Sequence, residues 1–447
     1  MLGAMIRKLW CNLDIHMREV FVGTLTAFTI RLTGALVQFL FNVLLARLLG
    51  AKGMGLYSLA LTVSTLCSCL ARWGMDQAVL RISAVKAENH RWREITLAVT
   101  TGCRFITLTG GVITVAVWLA APLLATKGFN DPDLVFPIRV MALSIVPFSL
   151  LNVMAEALRG LKKLMHSSFL QAVCIPVTCC LLFAAASLIK VTVAGAVFAY
   201  LAATIITAVI GIQIWKRAIP PEVQTAGDKT ITMRDLMALS IPMGWATTMV
   251  LVMGMADSVI LGVFGTSEEI GIYSAALRLS MVATLAMLAV NSIAAPKFAA
   301  LYRSRSLRDL EKLSQRANVM MLMIASPLLL LYFTFPTHIM GIFGTEFQRG
   351  GNMLMVLAVG QVVTMMMGSV GYLLLMTEYE NVMKWINIYA ALSNVILSLV
   401  LVPFWGGLGA ACANATSLVF LNLMAFVSVW KKLHISGIPF LTRTSSN

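Results

Sequence analysis

Charged residues are scarce in this sequence. Asp, Glu, Lys and Arg together make up 12% of its 447 positions, about half of their usual share in a soluble domain. Hydrophobic residues supply 59%, and the mean hydropathy is +0.87. So few charged side chains cannot cover a core of this size in water, which excludes a soluble globular protein. Apolar runs of roughly 20 residues, the length at which a helix crosses a bilayer, are expected instead.

Long polar segments are also lacking. The two longest predicted loops, near 73–95 and 216–235, are too short for a catalytic or nucleotide-binding domain, which needs roughly 100 residues. The phosphate-binding pattern GxxxxGK[ST] does not occur, which excludes an ATP-driven pump on this chain. A membrane-embedded glycan polymerase or ligase would be expected to carry a long external loop with catalytic side chains. Since the sequence offers no such loop, we predict that the protein is not an enzyme.

Clusters of metal ligands are missing as well. Seven of the eight cysteines lie in apolar runs, where cysteine behaves as a small buried hydrophobic residue. The close pairs Cys67/Cys69 and Cys179/Cys180 have no His or acidic neighbour at the spacing of a metal site. The sequence therefore predicts no zinc site, no disulfide framework and no cofactor. A coupling ion, H⁺ or Na⁺, is left open.

The basic residues are distributed asymmetrically. A net charge of +15 would suggest a nucleic-acid partner in a soluble domain. Here Lys and Arg lie in short segments between apolar runs, as in loops that face anionic membrane lipids, so we exclude nucleic acid. Alternate loops place 25 of the 34 basic residues on one side and 6 on the other, with three inside spans. The positive-inside rule then predicts that both termini are cytoplasmic.

About twelve apolar runs of spanning length predict an all-α, polytopic membrane protein. The runs are 21–47, 55–72, 97–125, 138–158, 166–188, 193–215, 236–262, 270–296, 318–343, 352–376, 384–404 and 408–430. The predicted domains are a cytoplasmic N-terminus (1–20), a six-helix half (21–215), a cytoplasmic linker (216–235), a second six-helix half (236–430) and a cytoplasmic tail (431–447).

The two predicted halves share an internal repeat. The segment LLARLLGAKGMGLYSLALTVS of the first half aligns with VILGVFGTSEEIGIYSAALRLS of the second when one residue is inserted. The alignment pairs Gly50 with Gly265 and Tyr57 with Tyr273, and a later match pairs Gly195 with Gly409 at nearly the same offset. We expect the first pair of glycines to form tight external turns and the tyrosines to lie at the membrane interface. Parallel repeats of six helices predict a central cavity between two bundles that rock to give alternating access.

Several segments of the sequence resemble a known family. They are ARLLGAKGMGLY (46–57), RWGMDQAVLR (72–81), EALRGLKK (156–163), ADSVILG (256–262) and GIYSAALRL (271–279). Together they resemble the bacterial polysaccharide transporters, which belong to the superfamily that joins multidrug and toxin extruders with lipid-linked oligosaccharide flippases. Some members of that family carry fourteen helices, whereas this chain is predicted to have twelve.

The resemblance implies a function. A family member of this kind would flip an undecaprenyl-pyrophosphate-linked oligosaccharide from the cytoplasmic to the periplasmic leaflet of the bacterial inner membrane, for lipopolysaccharide, O-antigen or another surface polysaccharide. The implied partners are the lipid-linked oligosaccharide, membrane lipids and other proteins of polysaccharide assembly.

Polar residues inside the spans indicate the substrate site, because charges at this depth are costly and usually face a wet interior. Arg31, Gln38 and Asn42 share one face of the first predicted helix. We interpret that face as a cavity wall whose Arg31 contacts phosphate; the alternative is an arginine that reaches a helix end or the membrane surface. Arg278 on the eighth helix and Arg104 on the third are further candidates, although Arg104 lies near enough to the cytoplasmic end to reach the headgroups.

Asp257 on the seventh helix is the remaining candidate, with either a structural ion pair to one of the arginines or a coupling-ion role. Three arginines against one aspartate predict a cavity that is positive or neutral. A phosphate-bearing glycan favours arginine, whose planar fork matches phosphate oxygens. A cation-coupled exporter of drugs or other small molecules, which shares the predicted fold, is the alternative, and it needs acidic residues in its cavity.

Overall fold

The computed structural model describes residues 15–188, 190–220, 232–433 and 435. Within this part of the chain, helices are the only regular secondary structure. The prediction of an all-α protein is therefore confirmed. Most of the predicted cytoplasmic tail, N-terminal segment and linker lies outside the described residues.

Six helices form the first half. They are α1 (15–49), α2 (51–72, continued as Met75–Glu88), α3 (Trp92–Leu123), α4 (Val135–Ala142 and Ile145–Gly160), α5 (Leu164–Ser187) and α6 (Val193–Ala218). Six more form the second half: α7 (Met233–Phe264), α8 (Ser267–Arg303), α9 (Leu307–Thr334), α10 (Gly351–Met367 and Ser369–Met376), α11 (380–405) and α12 (407–433).

The number of membrane spans agrees with the prediction. Nine helical segments of the described chain are long and apolar enough to cross a bilayer, and the bent pair that forms α4 makes ten. Two of these segments contain two spans each, because the helical backbone is interrupted at Gly50 between α1 and α2 and at Gly406 between α11 and α12. Twelve spans result.

Two predicted helix boundaries are wrong. The cytoplasmic loop that was expected to begin at residue 73 is largely helical, because α2 resumes at Met75 and buries Met75, Ala78 and Val79 in the bundle. The ninth helix begins at Leu307, not near 318, and its first turns bury Leu310. Both extensions are amphipathic, and a search for continuous apolar runs does not detect such segments.

The paired residues of the repeat differ from expectation in two respects. Gly50 has the left-handed backbone expected of a tight turn, with φ of 70°, but Gly265 has φ of −107°, which any residue adopts. Tyr57 and Tyr273 are 2% and 0% exposed, so neither lies at the membrane interface. Both lie about two turns inside the bundle from those glycines, on faces that point inward.

The two halves meet through α2, α7 and α8. Near the predicted external end, α2 and α8 touch backbone to backbone: a Cβ added to Gly55 would lie 1.6 Å from the carbonyl oxygen of Ser267. Towards the other end, the break in α2 rests on α7, where a Cβ on Gly74 would lie 2.4 Å from the amide nitrogen of Gly244. The region between these two contacts contains the candidate site.

Candidate functional site

A cavity of about 210 Å³ lies between the halves. Five helices of the first half and α8 of the second contribute to its wall. The lining residues are Gln38 and Phe41 of α1, Tyr57, Leu61 and Thr65 of α2, Phe148 of α4, Gln171, Ile175, Pro176 and Cys179 of α5, Tyr200 of α6, and Arg278 of α8. Gln38 and Arg278 each lie 11 residues from the predicted external ends of α1 and α8. The cavity is therefore roughly 17 Å from that end, a depth near the middle of a bilayer.

The shape of α5 depends on a π-helical turn at Phe169–Cys174. Such turns widen a helix locally and occur frequently at functional sites. α1 approaches α5 closely at this turn, because a Cβ on Gly34 would lie 2.2 Å from the carbonyl oxygen of Ala172. The close approach sets Gln38, one turn further along α1, and Gln171 of the π turn on the same cavity wall.

Gln171 is held in place by Glu156. Its Nε2 donates to Oε1 of Glu156 over 3.0 Å, and the other carboxylate oxygen of Glu156 lies 3.4 Å from Nη1 of Arg159. Glu156 is buried behind the wall and does not line the cavity. Its charge is thus partly compensated by Arg159, and its position orients a neutral amide towards the cavity.

Aromatic rings form another part of the wall. Tyr57 packs edge-on against Phe41 and Tyr200, with ring centroids 6.0 and 6.4 Å apart. Phe41 in turn packs against Phe183, which lies behind the wall. Rings in these orientations attract one another and are rigid. The two phenol groups give this apolar wall a polar component.

Arg278 is the one charged residue that lines the cavity within the described part of the chain. Its side chain is half-buried, and no described carboxylate lies within ion-pair distance of it. An arginine at this depth without a counter-ion is unfavourable unless water or an anion solvates it. The cavity is therefore electropositive, and its amide and phenol groups suit a ligand that carries oxygen atoms.

Arg72 supports the same wall from behind. Its guanidinium lies 5.8 Å from the ring centre of Phe148 and makes an ion pair of 3.2 Å with Asp76. Both charged groups are nearly buried, so the pair is a neutral element next to the cavity. The sequence places Arg72 at the end of the second apolar run. The pair bridges the break in α2 at Trp73 and Gly74, both of which have positive φ, so helical spacing does not explain it.

The predicted site residues divide into two groups. Gln38 and Arg278 line the cavity together, from opposite halves, as the repeat requires. The other predicted residues of α1 and α3 do not line it: Arg31 is half-buried, Asn42 is buried and donates to the carbonyl oxygen of Gln38, and Arg104 is exposed on α3. Sequence reasoning missed Gln171, Tyr57 and Tyr200 as lining residues.

Asp257 lies elsewhere, inside the second half. The described residues give it no ion pair with a span arginine, which was one of the two roles expected for it. Its Oδ2 accepts hydrogen bonds from the Tyr273 hydroxyl and from Nδ2 of Asn414, both over 2.6 Å. Its Oδ1 has no partner, and the nearby Asn394 amide does not reach hydrogen-bonding geometry. Asp257 is thus a buried carboxylate that two neutral donors hold and that has one free oxygen. With Tyr273, Asn394 and Asn414 it forms a polar cluster separate from the cavity, and α7, α8, α11 and α12 pack around this cluster.

Similarity to known proteins extends over most of the chain. Residues 20–302, nearly two thirds of the sequence, match the family described as "Polysaccharide biosynthesis protein". The "Probable low-salt glycan biosynthesis flippase Agl15" of Haloferax volcanii is 25% identical over 196 residues, which are 42% of this chain and 41% of the relative. The matched segment thus spans about two fifths of that relative's length.

Two solved structures share the fold. The lipid II flippase MurJ in an inward closed conformation has a TM-score of 0.74 at 14% identity, with 90% of this chain and 87% of that chain covered. A multidrug resistance MATE family transporter in an inward-facing conformation has a TM-score of 0.75 at 14% identity, with 92% and 98% covered. Both likenesses support the prediction of a twelve-helix fold of two repeats.

Proposed function

We propose a function from the family to which the chain belongs, the polysaccharide biosynthesis proteins. The protein flips an undecaprenyl-pyrophosphate-linked oligosaccharide from the cytoplasmic to the external leaflet, for the assembly of a surface polysaccharide. The protein is a multi-pass membrane protein of a flippase and transporter fold. The identity of the lipid-linked substrate, the bacterial inner membrane as its location, and the alternating-access mechanism are the parts that we add as a proposal.

The observation that carries the proposal is the unpaired Arg278 in the cavity. A guanidinium group donates two parallel hydrogen bonds to a phosphate, and such bonds are stronger than neutral ones. Gln38 and Gln171 add amide groups to the cavity lining. The cavity volume is below the roughly 300–1,000 Å³ of sites that enclose a drug-sized ligand, so in this state it accommodates a pyrophosphate group and not an oligosaccharide.

Arg31 extends the same functional face towards the cytoplasm. It precedes Gln38 by seven residues, which is two helical turns or roughly 10 Å along α1 on the same side. We propose that Arg31 receives the phosphates first and that Arg278 holds them at the centre. Arg104, exposed on α3, is proposed to contact the phosphates of membrane lipids or of the substrate before entry.

Alternating access accounts for both ends of the cavity. In the proposed orientation, the α2–α8 contact would close the external end, and the α2–α7 contact at Gly74 and Gly244 would close the cytoplasmic end. Rocking of one half against the other would separate one contact while the other stays closed. The glycan, which is larger than the cavity, would then pass when the halves separate.

The Asp257 cluster is proposed as the coupling site. Asp257 lies apart from the cavity, so an ion bound there would not compete directly with the substrate. Binding of H⁺ or Na⁺ would compensate a carboxylate that has no described cationic partner. The structural alternative is that the cluster only joins α7, α8 and α12 by hydrogen bonds.

The experiment that tests the substrate proposal replaces Arg278. Arg278→Lys keeps the charge but loses the bidentate fork, and Arg278→Gln loses both. In cells that lack the native protein, we expect Arg278→Lys to retain part of glycan export. Arg278→Gln should reduce export at least tenfold, with lipid-linked oligosaccharide retained on the cytoplasmic leaflet. The matched control is Arg81→Gln, an exposed arginine on α2 far from the cavity.

Normal export by Arg278→Gln at normal protein abundance would contradict the phosphate site. A cation-coupled exporter is the second candidate, because the inward-facing multidrug transporter has the same fold. That reading predicts that loss of the protein sensitises cells to cationic dyes. The absence of acidic residues from the described cavity wall argues against it.

A further inference from the structure

Two external loops reach across from one half to the other. The loop between α3 and α4 carries Asp131, whose Oδ2 accepts a hydrogen bond of 2.5 Å from the hydroxyl of Ser267, the first residue of α8. The loop between α9 and α10 carries Glu346, whose Oε2 accepts a hydrogen bond of 2.9 Å from the backbone N–H of Ala51, the first residue of α2. In both cases a carboxylate binds the N-terminus of a helix in the opposite half, where negative charge is favourable.

These four residues are related by the internal repeat. Ser267 follows Ala51 by 216 positions and Glu346 follows Asp131 by 215, the same spacing as the paired tyrosines and glycines. The two contacts are therefore one interaction that occurs twice, about the axis that relates the halves. Each half supplies one donor and one acceptor.

Each loop is also anchored to its own half by an ion pair. Asp133 pairs with Lys52 of α2 over 2.5 Å, and Arg349 pairs with Glu268 of α8 over 3.6 Å. These two ion pairs are also equivalent in the repeat, because Glu268 follows Lys52 by 216 positions and Arg349 follows Asp133 by 216. The charges are exchanged: the helix residue is basic in the first half and acidic in the second. In each loop, the residue of this ion pair follows the carboxylate that contacts the other half, by two positions for Asp133 and by three for Arg349.

Backbone contact lies directly beneath these loops. A Cβ on Gly271 would lie 2.0 Å from the carbonyl oxygen of Ala51, which mirrors the contact of Gly55 with Ser267. The first turns of α2 and α8 are thus in contact between the two crossing carboxylates. A substrate cannot leave the cavity at this end unless both helices separate.

We infer that Ala51, Asp131, Ser267 and Glu346 form an external clasp that holds the cavity shut on this side and that releases as a unit. If each half moves as a rigid body, separation of α2 from α8 breaks both crossing contacts together. The anchoring ion pairs remain, because each connects parts of one half. The inference rests on the alternating-access part of the proposed function and not on the identity of the substrate.

Cysteine pairs at the two kinds of contact test the clasp. Asp131→Cys with Ser267→Cys joins the halves, whereas Lys52→Cys with Asp133→Cys joins the same loop to its own half. We expect the first pair, once oxidised, to stop transport, with recovery after reduction. The second pair should form its disulfide without loss of transport, which makes it the matched control. Continued transport with the first disulfide formed would overturn the inference.

A second measurement does not depend on the substrate. Native Cys179 lines the cavity, so its labelling by an impermeant maleimide added outside reports opening of the external end. We expect Asp131→Asn combined with Glu346→Gln to increase this labelling severalfold, and the oxidised Asp131→Cys/Ser267→Cys pair to abolish it. Cys179→Ser gives the background from other cysteines. Unchanged labelling of Cys179 in both variants would refute the clasp. If the labelling changes as expected but the protein exports no glycan, only the proposed substrate is refuted.

Discussion

Tyr57 and Tyr273 occupy equivalent positions of the repeat, yet Tyr57 lines the cavity while Tyr273 donates its hydroxyl to the buried carboxylate of Asp257 over 2.6 Å. The duplicated tyrosine has thus acquired two environments. In the first half it faces the cavity. In the second half it lies within the bundle and satisfies an acidic group.

Removal of the two hydroxyls should therefore have different effects. Tyr273→Phe takes one of two donors from a buried carboxylate, which should cost about 1–3 kcal/mol of stability. Tyr57→Phe should leave stability nearly unchanged and reduce transport. The check is thermal unfolding in detergent alongside transport per molecule in the membrane. Equal loss of stability in both variants would contradict this assignment.

Asp257→Asn separates a coupling role from a structural one. The amide preserves the volume and can still accept from Tyr273 or Asn414, so the protein should reach the membrane in normal amounts. Transport should lose its dependence on the H⁺ or Na⁺ gradient, measured in vesicles with imposed gradients. If the variant retains the gradient dependence of the parent, Asp257 only supports the packing of α7 and α8.

Gly55 and Gly271 should tolerate no side chain. An alanine at either position would push α2 and α8 apart, because its Cβ would lie 1.6 or 2.0 Å from a backbone oxygen. We expect both variants to show increased external labelling of Cys179 and reduced transport. Gly254→Ala on α7 is the control, since no atom lies within 4 Å of a Cβ at that position. Normal behaviour of Gly55→Ala would show that this contact is not part of the closure.

Gly50 and Gly265 should be intolerant for different reasons. At Gly50 a φ of 70° with a ψ of −177° is a backbone conformation confined almost entirely to glycine. It strains any other residue by about 1–3 kcal/mol, so Ala and Asn should be equally poorly tolerated. At Gly265 the backbone is unstrained, but a Cβ would lie 2.7 Å from Oε2 of Glu269 and 2.9 Å from the Leu261 carbonyl oxygen. The defect at Gly265 should therefore come from crowding and not from backbone strain. The measurements are the membrane abundance and the melting temperature of the Ala and Asn variants at both positions.

The predicted orientation has its own test. Thr126 and Ser304 are exposed at opposite ends of the bundle. Thr126→Cys should react with an impermeant thiol reagent added to intact cells, and Ser304→Cys should react only after the membrane is opened. The reverse pattern would invert the proposed direction of transport.

Helices were the predictable part of this fold. Length and apolarity predict each span, and the GxYS match in both halves indicates the duplication. The ends of α2 and α9 were not predictable from apolar runs, because amphipathic extensions such as Met75–Glu88 bury only one face.

The candidate site was predictable only in part. Gln38 and Arg278 were found because a polar group inside a span is conspicuous. Gln171 and Tyr200 were missed because the rotation of α5 and α6, and the π turn in α5, decide which side chains reach the cavity. The external clasp gave no local signal, since Asp131 and Glu346 are single acidic residues in short loops. The common spacing of about 215 residues was the signal that would have connected them.

The reversed polarity of Lys52–Asp133 and Arg349–Glu268 bears on how the chain folds. A protein with two similar halves is exposed to domain-swapped misfolding, in which an element docks on the wrong copy. Exchange of the two loops would set Asp133 against Glu268 and Arg349 against Lys52. Both arrangements place like charges together, whereas the correct arrangement pairs opposite ones. Each exposed pair contributes little to stability. Together, however, the like charges would raise the free energy of the mispaired topology. The exchanged charges therefore favour the docking of each loop on its own half.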